Sequence, residues 1–143
     1  MSKTRDARVR VPYKRTGRMI IIIDGYNLLP NLNIKGSSFE NKRENMIAQL
    51  LDFIEVNPAS VTVVFDGTHN PSMHRGNETH GGIKVIFSAQ GETADDVIEN
   101  LIAGRKAKAR DYLIISSDRR LQTYAEEHSM KWMNSQKFAE YFE

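Results

Sequence analysis

The chain contains no cysteine. That excludes a disulfide framework, a thiolate metal site and a thiol nucleophile, and it fits a reducing cytoplasm. Long apolar runs are also missing: the longest is the five residues Met19–Ile23, far short of the ~20 that cross a bilayer and too short for the apolar region of a signal peptide. There is no internal repeat and no low-complexity segment. The expected setting is therefore cytoplasmic. What is present, 143 residues with 40% hydrophobic and 27% charged side chains, suits one globular domain of ordinary size.

The formal net charge of +2 conceals an uneven distribution. Residues 1–18 carry seven basic side chains against Asp6 alone, whereas residues 19–143 carry thirteen basic and seventeen acidic ones. The expected organisation is a basic, flexible N-terminal arm over 1–18 and a folded domain over 19–143. A basic arm on an acidic body points to a polyanion partner, and a solvated tail explains the same composition.

Apolar runs alternate with helical periodicity along the body. Met19–Ile23, Val61–Phe65, Ile83–Phe87, Tyr112–Ile115 and Met130–Met133 read as five strands, the first isoleucine-rich as in strands buried on both faces. Met46, Ile47, Leu50, Leu51 and Ile54 make one stripe of a helix over about Ser38–Glu55, with a serine cap. Thr93 opens a helix with Ala94, Val97, Ile98, Leu101 and Ile102 inward and Gly104 at its end. Further helices follow Asp118 and Ser135. Strands alternating with helices imply parallel pairing by right-handed crossovers. The expected fold is a three-layer α/β sandwich with a mainly parallel sheet of about five strands.

In open parallel sheets ligands bind beyond the carboxyl ends of the strands. Asp24, Asp66 and Asp118 follow strands one, two and four, and Asp95 and Asp96 lie in the first turn of the helix after strand three. Clustered carboxylates repel one another until a proton or a cation intervenes. Oxygen donors without cysteine point to a hard ion, Mg²⁺ or Mn²⁺. Each acid also has a structural explanation: Asp118 and Asp96 as helix caps, Asp66-Gly67 as a turn pair. Asp24 is harder to explain in that way, because it closes the most buried strand.

The stretches "IIIIDGYNLL", "VVFDG", "GETADDVIENLI" and "YLIISSDRRLQTYAEE" resemble, in order and rough spacing, the NYN-domain ribonucleases of the bacterial YacP-like group, within the PIN-like nuclease superfamily. The resemblance runs from about Met19 to the C-terminus. It implies a compact PIN-like fold that cuts single-stranded RNA by metal-assisted hydrolysis, leaving 5′-phosphates. By motif, Asp24, Asp95 and Asp118 match the family's acids and Asn27 its neighbouring asparagine, with Asp66 and Asp96 ranked behind them. Thr93 and Ser117 are candidates to orient carboxylates, and Thr93 equally a cap. A cleavage route through the ribose 2′-hydroxyl would need a general base such as histidine.

Candidates for RNA contact are Arg119 and Arg120 beside Asp118, and His69, His74 and Arg75 in "GTHNPSMHRGNETHGG", read as a long polar loop over the active edge. The irregular spacing of His69, His74 and His80 suits zinc poorly. The run Arg105–Arg110 follows a helix end, where cations favour the macrodipole. Tyr26 stands where a haloacid-dehalogenase-type phosphatase needs a second Asp, and Gly25 alone does not make a dinucleotide-binding turn. The rival reading is a non-catalytic RNA- or ribosome-binding module on the same fold. The oligomeric state is open.

Overall fold

The structure, a computed structural model, describes residues 18–67 and 75–143. The arm before Arg18, with His69 and His74, lies outside the described residues. Six strands form one sheet: β1 (Met19–Asp24), β2 (Ala59–Phe65), β3 (Gly76–His80), β4 (Ile83–Phe87), β5 (Tyr112–Ile115) and β6 (Lys131–Met133), in the order β3-β4-β2-β1-β5-β6. All neighbouring pairs are parallel except β3 with β4.

The helices are α1 (Gly25–Leu28), α2 (Phe39–Val56), α3 (Ala94–Ala103), α4 (Arg119–Glu127) and α5 (Ser135–Ala139). They divide between the two faces according to the pleat, since side chains alternate along each strand. Ile21, Ile23, Val63, Phe65 and Ile115 meet Leu28, Met46, Leu50, Phe53 and Phe138 on the α1, α2 and α5 side. Ile22, Val64, Ile86 and Ile114 meet Val97, Ile98, Ile102, Leu121 and Ala125 under α3 and α4. Two apolar cores on one sheet give the three expected layers.

Helix ends follow local chemistry. The Ser38 hydroxyl accepts the Asn41 N–H at the start of α2. Thr93 and Asp96 form a reciprocal capping box at the start of α3. Among the described residues, no helix is long and apolar enough to cross a membrane.

The sixth strand corrects the reading of 76–80 as loop. Asn77, Glu78 and Thr79 are exposed, because β3 is an edge strand without a core-facing row, so no apolar alternation marks it. Its signal is the turn: Gly81 and Gly82 have φ of 55° and 101°, the paired positive angles of a two-residue hairpin that glycine adopts without strain.

Chain order places β1 at the switch point. From β1 the chain passes through α2 to β2 on one side and returns through α3 to β5 on the other, leaving a crevice at the carboxyl end of β1 and β5. Gly25 makes this end possible, since a Cβ there would lie 2.5 Å from Cε1 of Phe65 and 3.0 Å from Cγ1 of Val63, both fully buried. Gly25→Ala is expected to destabilise the fold by about 1–3 kcal/mol through overpacking, read as a lower urea midpoint; an unchanged midpoint would show that the Phe65 ring can move.

Candidate active site

The same pleat that sorts the cores sorts the polar residues at the strand ends. Ile22 pairs in register with Ile114, so two residues later Asp24 stands level with Ser116, and both follow residues on the α3 and α4 side. The Ser116 hydroxyl donates to Oδ2 of Asp24 at 3.1 Å and accepts the Asp118 N–H at 3.0 Å. Ser116 is fully buried and Asp24 is 9% exposed. Although Asp24 stands at the N-cap position of α1, its side chain makes no capping bond. Turn formation therefore does not account for its carboxylate.

Asp118 caps α4, its Oδ1 accepting the Arg120 N–H at 2.8 Å. Asp95, in the first turn of α3, faces it across the crevice. Burial pushes the Asp24 carboxyl up to about 6, against the opposing bond from Ser116, and the charges of Asp118 and Asp66 add to the rise. Burial also pushes Asp95 up to about 7, helped by the charge of Asp118, a hydrogen bond with that carboxyl and the charge of Asp24. Asp24, Asp66, Asp95 and Asp118 thus form one electrostatic group.

The other candidates are arranged differently. Asp96 is partly exposed, and the Thr93 N–H, Arg120 and the Thr93 hydroxyl hold its carboxyl below the usual range. Arg120 is committed to α3: it binds Glu99 at 2.7 and 3.0 Å and Asp96 at 3.1 Å, and stands 3.9 Å from Asp95. These bonds, with Glu99 first, raise its pKa further above the ordinary value. Arg119 is exposed and makes no side-chain bond among the described residues. Arg75 forms a forked pair with Glu92, whose Oε1 also accepts the Ala89 N–H. Thr93 serves as a cap.

Asn27 belongs to a clamp on the other face of the strand ends. Its Oδ1 accepts the Ser117 N–H at 2.8 Å and the Ser135 hydroxyl, while the Ser117 Oγ accepts the Ser135 N–H. With the carbonyl occupied twice, the Asn27 amide can offer only its N–H groups to a ligand. Sequence reasoning named Ser117 as a carboxylate-orienting residue, but Ser116 fills that place and Ser117 joins the clamp. Ser135 had no local signal, since its partner lies 108 residues away.

Oxygen donors of this kind suit a hard divalent cation, and burial beside like charges disfavours the ionised carboxylates unless a cation or a proton joins them. As the side chains stand, no three His, Asp or Glu groups among the described residues form a ligand set.

Residues 21–143 match the YacP-like NYN domain. The chain belongs to that family. NYN domains are PIN-like nucleases, a group that generally uses divalent metals. The chain is 31% identical over 103 residues to YacP of Bacillus subtilis (strain 168), a match covering 69% of this chain and 60% of YacP's own length. Its fold is similar to the crystal structure of the W164L mutant of Rae1 (YacP) from Bacillus subtilis, with a TM-score of 0.66, 26% identity, and 82% of this chain and 70% of that one covered. A second Rae1 (YacP) crystal structure matches in fold with a TM-score of 0.64 at 24% identity, over 83% of this chain and 70% of that one.

The raised acids give this NYN domain a pH signature. A folded pKa above the unfolded one means that the folded state holds the proton longer. The associated stability is full below about 4 and is lost as pH rises toward 6 for Asp24 and 7 for Asp95. Asp24→Asn keeps an acceptor for Ser116 and removes the charge. Without divalent cations, it is expected to be more stable than the parent chain at pH 8 by about 2–3 kcal/mol and equal to it near pH 4. Urea unfolding at the two pH values checks this, and a gap of the same size at both would contradict it.

Proposed function

We propose that the chain is a metal-dependent endoribonuclease hydrolysing phosphodiester bonds of single-stranded RNA in the cytoplasm. The observation that carries this reading is the convergence of Asp24 and Asp118 on the Ser116 hydroxyl, with the charge of Asp118 acting on Asp95 and that of Asp66 on Asp24, at the switch point of a PIN-like sheet. Asp24, Asp95 and Asp118 would hold Mg²⁺ or Mn²⁺, with Asp66 and the outlying Asp96 in supporting places. When bound, the ion polarises a phosphate and acidifies a water.

The chain's own groups supply the positioning. Ser116 ties the Asp24 carboxylate and the Asp118 backbone together through one hydroxyl. Asn27, locked through its carbonyl oxygen, offers amide N–H groups as donors to a non-bridging phosphate oxygen. Arg119, exposed at the start of α4, is free to neutralise a phosphate flanking the cut. Arg120 tunes Asp95, since its guanidinium opposes the rise in that acid's pKa. Attack by water on phosphorus with departure of the ribose 3′ oxygen leaves a 5′-phosphate and a 3′-hydroxyl.

A second reading, a non-catalytic RNA- or ribosome-binding module, is favoured by one observation: no three acids stand as a ligand set among the described residues. Cleavage of an end-labelled single-stranded RNA separates the two. Wild type with Mg²⁺ or Mn²⁺ is expected to give 5′-phosphate ends, with chelator abolishing the products and Asp95→Asn lowering the rate by about a hundredfold or more. If neither protein cuts while both bind RNA alike, the binding-module reading replaces the nuclease.

A further inference from the structure

The edge of the sheet opposite the acids carries the densest positive charge in the described chain. Arg105, Lys106, Lys108 and Arg110 lie between α3 and β5, and all four are exposed. None has a side-chain hydrogen bond or ion pair among the described residues. Ala107 and Ala109, in contrast, pack against the core under α3 and α4. The segment is therefore pinned by its alanines with its cations turned to solvent. The helix macrodipole accounts for Arg105 alone: the last turn of α3 has no basic residue, Arg105 directly follows the Gly104 cap with its N–H on the Ile102 carbonyl, and the other three cations lie farther along the chain.

The amino end of β1 lies at the same edge. β1 and β5 are parallel with Ile20 level with Tyr112, so their amino ends are neighbours. Arg18, two residues before Ile20, donates to the Ala59 carbonyl at 2.9 Å at the start of β2. β1 runs six residues from this edge to Asp24 at its other end, roughly 17 Å at strand rise.

We propose that this edge is a docking surface for the phosphate backbone of double-helical RNA, separate from the acidic site and independent of any cutting there. The run holds no aromatic side chain for stacking bases and no amide for reading them, so its chemistry is that of phosphate contact without sequence preference. It presents no apolar side chain to enter a bilayer. Residues 19–143 carry four more acids than bases, so RNA is repelled by most of the body and held at this edge. A duplex docked here leaves an unpaired flank to reach the far end of the sheet.

The test uses the full chain and a labelled, blunt RNA hairpin, with affinity measured by fluorescence anisotropy across a salt series. Replacing all four cations by Gln is expected to weaken binding at least tenfold and to flatten the salt dependence by about three to four counterions. The charge-preserving pair Arg105→Lys and Arg110→Lys is expected to bind as wild type does, and circular dichroism checks that all chains fold alike. Hairpin binding that is absent in wild type, or unchanged in the Gln variant, overturns the proposal. So does capture by phosphatidylglycerol vesicles without hairpin binding. Cleavage of a short unstructured RNA by the Gln variant keeps the two readings apart: retained cutting with unaltered hairpin binding removes this surface alone, and lost hairpin binding in a chain that never cuts removes the nuclease alone.

Discussion

Asp24 sits where the least polar strand of the sheet meets two helix ends, and the withdrawal of its carboxylate from water governs the site. β1 is flanked on both sides by parallel strands and on both faces by helices, so its last residue has little solvent to draw on. A lone carboxylate there takes up a proton or a counter-charge. Its neighbours supply neither cheaply: Asp66, Asp95 and Asp118 add negative charge, and Arg120, which stands beside Asp95, is spent on Glu99 and Asp96. The rest of the site compensates for that one burial, with Ser116 holding the acid in place and the clamp of Asn27, Ser117 and Ser135 keeping the strand ends from relaxing.

Such an arrangement costs stability in the free protein, as functional sites often do. The surrounding chain tolerates it because both cores are closed: Phe53, Phe65 and Phe138 on one face, Val97, Ile98 and Leu121 on the other, are fully buried. The two ends of the sheet then differ in sign. Acids collect at the carboxyl ends of the strands, where crossovers deliver helix N-termini, and cations collect at the amino ends, where helices finish.

Much of this was legible in the residues. The isoleucine run of β1, the stripe of α2 and the capping box of Thr93 each fix their element locally, and chain order alone put the acids at one edge. Three things were not legible. β3 has no buried row, so hydrophobic patterning is silent and only the Gly81-Gly82 pair marks it. The choice between Ser116 and Ser117 depends on strand register, which appears only when β1 and β5 are paired. The engagement of Arg75 and Arg120 with Glu92 and Glu99 spans 17 and 21 residues, and a basic side chain in sequence gives no sign of whether its charge is already matched. Arg119 and Arg120 look equivalent in "SDRRL" and both are exposed, yet only Arg120 is paired with carboxylates of α3.

The most direct test of the acidic group is where a paramagnetic ion settles. Mn²⁺ added in substoichiometric amounts to isotopically labelled protein at pH 8 should broaden the backbone resonances of Asp24, Asp95 and Asp118 first, and Asp24→Asn should remove that selectivity. Broadening centred elsewhere, such as at Glu78 and His80 on the edge strand, or spread evenly over the exposed acids, would contradict a cation-seeking site at the end of β1.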